Sequence, residues 1–363
     1  MKAPRSPTSP TDTSAGPAEP LRTDASPEAS VSAPPMSIRE VALVDGPERF
    51  LLYEGHPVVK NAIKIATRPI QEAYSVVEQV IVHREPGTCL IANFRMGKTT
   101  ALNIIFEELA QTFTSLPVSR LIAKGHDIAT EKTFFTDILT DFKHAGARSG
   151  TTSDKRTRVL NVVLARARQH KSDRYLFLVD EGQNWGEAEF SCLRDLSNDW
   201  SADGVTVITV IFSHPALRDT RALLLGRQRH DLVGRFLLSP REFRGIRDRE
   251  ELLHTLCAYD GSEGSGRYEY PPRSGICYSE FLMPQAWREG WRLQSEIDRM
   301  WSAFCQVANR SHRDAENIGM NWVSRAIRNF FFSQAPSDGI GFSGTSVVWL
   351  DCVEASGYED SLV

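Results

Sequence analysis

A short apolar run, Thr88 to Asn93, passes without a spacer into Phe94-Arg95-Met96-Gly97-Lys98-Thr99-Thr100, and apolar residues then recur at helical spacing to Thr112. A strand that turns directly into a helix through Gly-Lys-Thr leaves few folds open. Ala92 to Thr99 has the spacing of a phosphate-binding loop, G-x-x-x-x-G-K-[ST], with Ala92 where the first Gly usually stands. Gly97 lets backbone amides approach phosphate, Lys98 reaches the β and γ oxygens, and Thr99 offers a hydroxyl to Mg2+ at a helix N-terminus. Ala92, Asn93, Phe94, Arg95, Met96, Gly97, Lys98, Thr99 and Thr100 are therefore candidate ATP contacts. A chance Gly-Lys-Thr in a helix cap is the competing reading, and the strand before it and helix after it argue against that.

Downstream, short apolar runs alternate with longer helical patterns, the mark of an α/β chain whose parallel sheet is joined by crossover helices. Strands are expected at Val118 to Ala123, Tyr175 to Val179 and Val205 to Phe212, with a fifth candidate at Phe236 to Ser239. Helices are expected at Lys98 to Thr112, Lys132 to Lys143, Arg156 to His170 and Glu187 to Trp200. The run Tyr175 to Val179 ends in Asp180-Glu181, at the edge where a parallel sheet presents its site. There Asp180 would hold Mg2+ through water, and Glu181 would orient and polarise an attacking water. The same acids could instead cap the next helix. After the following strand comes Ser213-His214-Pro215, where either polar side chain could sense the γ-phosphate or the lytic water, or could simply cap a helix that has Pro at its start.

Residues 1 to 36 are dominated by Pro, Ser, Ala and Thr, with too little to bury to offset backbone ordering, and are expected to be a disordered tail. A helical lead-in over 37 to 85 follows, with Ile70, Tyr74, Val77 and Ile81 at helical spacing in Pro69 to His83. The core then spans 86 to 245. A Gly, Ser and Pro-rich loop at Gly261 to Pro272 interrupts a second helical region over 246 to 335, with helices at Trp287 to Asn309 and Met320 to Phe332. An acidic tail over 336 to 363 contains one β-like run, Ser346 to Leu350. The six cysteines are scattered without a C-x-x-C pair, so they are expected to be reduced and structural. No apolar run has the roughly 18 to 20 residues of a membrane helix, and a cytoplasmic location is the expectation. A net charge of -4 excludes a uniformly basic nucleic-acid binder, so any DNA contact would come from a local patch.

The Glu directly after the strand-terminal Asp resembles the AAA+ and related ATPases. Phe94-Arg95 before Met96-Gly97-Lys98 also resembles the RecA-type loop, but that family keeps its catalytic Glu elsewhere. The order of phosphate loop, Asp-Glu, polar-Pro-x-Leu at His214 to Leu217, and an Arg-rich helix running into Gly234-Arg235-Phe236 resembles the TniB/TnsC-type AAA+ regulators of DNA transposition and their ExeA-like relatives, over roughly Thr67 to Tyr259. The departures are Ala92, Gly182-Gln183 for the common Ala-His or Ala-Gln, and Ser213-His214 for Gly-Thr or Gly-Gln.

This resemblance implies an AAA+ P-loop NTPase with a central parallel sheet in the order 5-1-4-3-2 and a small C-terminal helical lid. It implies a homo-oligomeric ring or filament in which an Arg of one subunit reaches the γ-phosphate of the next. Nine arginines fall between Arg218 and Arg249, among which Arg235 is the first choice and Arg229 the second; a solvated basic helix is the other reading. Lys124 and Lys132, around the loop after the second strand, would follow a duplex DNA backbone without reading sequence, although loop lysines are usually only solvated. Arg325 would be a second sensor beside the phosphates. The expected function is ATP-dependent assembly on DNA that recruits a transposase or a target-selection protein, with hydrolysis releasing the assembly. An AAA+ signalling or secretion-linked switch acting on protein partners without DNA is the alternative, and a chain that holds nucleotide only structurally is a third.

Overall fold

The computed structural model describes residues 37–262 and 268–362. The Pro/Ser-rich tail expected over 1–36, and part of the loop expected at Gly261 to Pro272, fall outside the described residues. In chain order the elements are α1 (Ile38–Leu43), α2 (Pro47–Gly55), α3 (Arg68–Val82), β1 (Gly87–Ile91), α4 (Lys98–Thr112), β2 (Val118–Ile122), α5 (Glu131–Asp141), α6 (Thr152–Gln169), β3 (Arg174–Asp180), α7 (Glu187–Ala202), β4 (Thr206–Ser213), α8 (Leu217–Gly226), α9 (His230–Phe236) and β5 (Arg241–Glu242). They continue with α10 (Arg249–Tyr259), α11 (Tyr278–Leu282), α12 (Pro284–Arg288), α13 (Ile297–Arg310), α14 (Met320–Gln334) and α15 (Ser346–Ser356).

All five strands are parallel, in the order β2-β3-β4-β1-β5, which from the other edge is the expected 5-1-4-3-2. Alternation of side chains explains the layers. Leu176 and Leu178 of β3, with Ile208 and Val210 opposite them on β4, face α3 and α4. Tyr175, Phe177 and Val179 point the other way, into a cluster with α5, α6 and α7. Both faces of β3 and β4 are covered, so these two strands are nearly continuous apolar runs.

A third cluster is mostly helical, and it joins α1 and the segment before α3 to α10 through α15. Three sequence expectations change here. The fifth strand is Arg241–Glu242, because Leu232, Val233, Phe236 and Leu237 recur at helical spacing and Phe236 closes α9. The helix expected over Trp287 to Asn309 is broken between α12 and α13 by a turn at Glu289-Gly290 and a 3-10 segment, Leu293–Glu296. The β-like run Ser346 to Leu350 is the start of a helix. Thr345 caps it by accepting from Val348 N, and Trp349, Cys352, Val353 and Ser356 form one buried face. Trp349 stacks on Phe330 of α14 at 4.2 Å. Two adjacent Val residues suggest a strand, but burial at helical spacing decides.

Candidate nucleotide site

The loop between β1 and α4 is held from below by the sheet. Ala92 N donates to Ser213 O at 3.0 Å, and the Ala92 side chain is 3% exposed in the core under α3 and α4. The methyl group at this usual Gly position is thus accommodated by packing. Gly97 has φ +94 at the N-terminus of α4, a left-handed conformation that a Cβ would strain, so the final Gly of the motif is required by backbone geometry.

Lys98 is 9% exposed, and its ammonium donates to Ala92 O and Asn93 O, both at 2.9 Å. Burial pulls its pKa below the ordinary lysine value, while Glu181 and then Asp180 push it back up. The two carboxylates expected on β3 therefore do face the loop. Thr99 Oγ1 donates to Asp180 Oδ2 at 2.9 Å across 81 residues of sequence, and Asp180 itself is 5% exposed. Mg2+ binds oxygen and needs only one or two protein ligands when phosphates supply the rest. The Thr99 hydroxyl could be one such ligand, with the Asp180 carboxylate beside it to hold the metal through water.

These residues open onto a cleft of about 300 Å3 lined by the loop from Phe94 to Thr100, by Glu181 and His214, and by two walls without a sequence motif. One wall is the segment before and into α3, including Ile63, Ile65 and Ile70; the other runs from Phe243 to Ile246 and on to Met320, Asn321 and Ser324 of α14. An apolar slot thus adjoins a polar, Lys-bearing loop, an arrangement suited to a base at one end and phosphates at the other. Arg244, 5% exposed, joins the walls by ion pairs to Glu72 of α3 and Glu251 of α10.

The other expected site residues are distributed differently. His214 lines the cleft, and its ring lies 4.4 Å from that of Phe94. Ser213 is fully buried, and its hydroxyl reaches Gln183 Oε1 and His214 O, so it faces protein and not the cleft. Arg325 is half-buried on α14 and does not line the cleft, whereas its neighbour Ser324 does. Arg229 is held by Glu187, Asp231 and Ser191. Arg235 contacts Arg194 O at 3.4 Å, and neither arginine lines the cleft of its own chain. Lys124 is paired with Asp137 at 3.1 Å, and the same carboxylate bonds His126; Lys132 is exposed in the first turn of α5. The two lysines are at opposite ends of one loop.

Residues 82–220 match the family model described as an AAA domain. The Aeropyrum pernix ORC2 protein, in its ADPNP-ADP complexes, superimposes with a TM-score of 0.52 at 10% identity, over 81% of this chain and 68% of that one. The fold is that of an AAA+ P-loop NTPase. Lower-scoring likenesses include the Aeropyrum pernix ORC1 protein in complex with DNA (TM-score 0.45, 11% identity, 89% of this chain and 69% of that one) and domain III of the Thermotoga maritima replication initiation protein DnaA (0.41, 15%, 81% and 94%). No curated protein matches the sequence. Among the described residues no helix is long and apolar enough to cross a membrane.

Proposed function

We propose that this chain binds ATP with Mg2+ and hydrolyses it, and that the nucleotide controls an assembly of like subunits. The observation that carries this reading is the Thr99 to Asp180 hydrogen bond, which brings the metal-binding groups of loop and sheet together beside the Lys98 ammonium and Glu181. In this reading Lys98 holds the β and γ oxygens, and Thr99 and Asp180 hold the Mg2+ that screens their charge. Glu181 orients the water that attacks the γ-phosphorus. His214 borders the same space from β4. The division into lead-in (37–85), ATPase core (86–245), lid (246–335) and tail (336–363) belongs to the proposal, as does a role in trans for Arg235, with Arg229 second. Uptake of labelled ATP by the full chain and by Lys98→Ala tests the site. Wild-type uptake with loss of about tenfold or more in the variant is expected from removal of a charged phosphate contact, and equal uptake would remove Lys98 from the site.

The finer reading is a DNA-transposition regulator that assembles on duplex DNA when ATP is bound and recruits a transposase or target-selection protein. The order of motifs supports it, as does the exposed Lys132 at the start of α5. The alternative, a switch acting on protein partners without DNA, is favoured by the pairing of Lys124 with Asp137, which neutralises one of the two cations meant for phosphate. Retention of random-sequence duplex on filters, with ATP, with a non-hydrolysable analogue and without nucleotide, separates them. Nucleotide-dependent and salt-sensitive retention is expected for the regulator, and no retention at low salt eliminates it.

A further inference from the structure

β3 leaves the sheet through a turn whose backbone is tightly constrained. Glu181 adopts φ +58, a left-handed conformation that costs a non-Gly residue on the order of 1 to 2 kcal/mol. The 3-10 segment Gly182–Asn184 follows immediately, with Asn184 Nδ2 donating to Ala123 O at the end of β2 at 2.9 Å. Between these anchors Gln183 reaches in two directions. Its Oε1 accepts from Ser213 Oγ at 3.0 Å and from the backbone N–H of His214 at 2.9 Å, both at the end of β4. Its Nε2 donates to Glu181 Oε2.

The orientation of this amide follows from chemistry. A backbone N–H can only donate, so the oxygen must face His214, and the NH2 group is left for the carboxylate, which can only accept. A glutamine fixed at one end by two donors is a rigid arm. It restricts the carboxylate of Glu181, which lines the cleft, to orientations in which Oε2 stays bonded to the arm. Gln183 does not line the cleft, so a bound nucleotide would not touch it. The same β4 end carries His214, whose ring meets Phe94 of the phosphate loop. Loop, β4 and carboxylate are thereby one connected set.

We propose that Gln183 is the positioning residue for Glu181: anchored on Ser213 and His214, it aims the carboxylate at the space where the lytic water stands. The inference rests on the ATPase reading given above. Misplacement of a reacting group by about 1 Å can cost on the order of 100-fold in rate, so loss of the arm should lower kcat without weakening nucleotide binding.

ATP hydrolysis and nucleotide affinity of the full chain are measured for the wild type, Gln183→Ala, Gln183→Glu and Glu181→Gln between pH 6 and pH 8. Gln183→Ala should lose about 10- to 100-fold in kcat, as expected for a displaced base, with Kd for MgATP within a factor of about three. Gln183→Glu keeps the shape and the acceptor toward β4, but at pH 8 it sets a second carboxylate against Glu181. Because two carboxylates in contact share a proton, with one of the pair's pKa values raised, the pair regains a proton to donate as pH falls, so the variant's rate relative to wild type should climb, a response that a merely structural role would not give. An unchanged kcat in Gln183→Ala overturns the proposal. So does a Gln183→Glu deficit that is the same at both ends of the pH range, an outcome that remains readable if the alanine variant fails to fold. Glu181→Gln separates the two levels: if it hydrolyses ATP like wild type, the ATPase reading of the site is wrong, and if it is inactive while Gln183→Ala is normal, only the positioning role is wrong.

Discussion

At Gly182 the chain has no room for a side chain, because a Cβ built there would lie 2.1 Å from Ile211 Cγ2 and 3.5 Å from Phe212 O. The turn that carries Glu181 is therefore pressed against β4, and an Ala at this position cannot be accommodated without a shift. Gly182→Ala should cost about 1 to 3 kcal/mol, the usual range for overpacking a filled core. Urea unfolding measures it. Because the clash is with a side-chain methyl, Ile211→Ala should relieve it, and the double variant should be more stable than the sum of the single changes by on the order of 1 kcal/mol, as expected for residues in contact. Strict additivity would mean that the turn yields elsewhere. A methyl at residue 182 is thus excluded by the neighbouring strand, whereas that of Ala92 is accommodated by the packing under α3 and α4.

Among the elements, the helical cluster is tied at one residue. Glu296 is 1% exposed, and its carboxylate accepts from Trp291 Nε1 and Gly344 N at 3.0 Å, from Trp349 Nε1 at 3.2 Å and from Arg299 at 3.0 Å. These donors come from the turn before α13, the loop before α15, α15 and α13. Glu296→Gln keeps the volume but replaces one acceptor oxygen by a donor and removes the charge facing Arg299. At least one indole N–H or the guanidinium loses its partner, at about 2 to 4 kcal/mol for a buried charge-assisted pair. The expected result is a lower urea midpoint with an unchanged slope, and a variant as stable as wild type would show that the carboxylate is dispensable. None of this was legible in the sequence, where α15 reads as a β-like run in an acidic tail. The phosphate loop and Asp180-Glu181 were legible because each is a contiguous residue pattern at a strand end, with its chemistry written locally. The walls of the cleft at 61–70, 243–246 and 320–324 come together only through tertiary packing, and no spacing marks them. Nothing in the sequence marks Gln183 as a positioning residue, since its partners at Ser213 and His214 are about thirty residues away.

Across the whole molecule, Ala42, Val58 and Ile65 are buried in the cluster built mainly by α10 to α15, and the chain then crosses the cleft to α3. His56 fastens this crossing. It is fully buried between Phe281 and Tyr270, each with ring centroids 4.8 Å away, and Tyr278 at 5.3 Å, while its Nδ1 accepts from Val58 N at 3.2 Å. Burial pushes its pKa from 6.5 down to about 3. The folded chain thus keeps His56 neutral where the unfolded chain would protonate it, so the unfolded state binds more protons between those two values. The contribution is fully present above about pH 6.5 and is lost as pH falls toward 3, at up to about 1.4 kcal/mol per pH unit. His56→Phe removes the titration and keeps an aromatic ring in the box. Other acid-sensitive groups act equally on both proteins, so the difference in stability between variant and wild type isolates this residue. From pH 7.5 to pH 5 that difference should move by about 2 kcal/mol in favour of the variant, read from urea midpoints at the two pH values. A difference independent of pH would mean that His56 titrates alike in both states, and that the crossing is open to water. Because the crossing forms one wall of the cleft, bound MgATP should raise the unfolding midpoint of both proteins equally at pH 7.5, where His56 is neutral in either state.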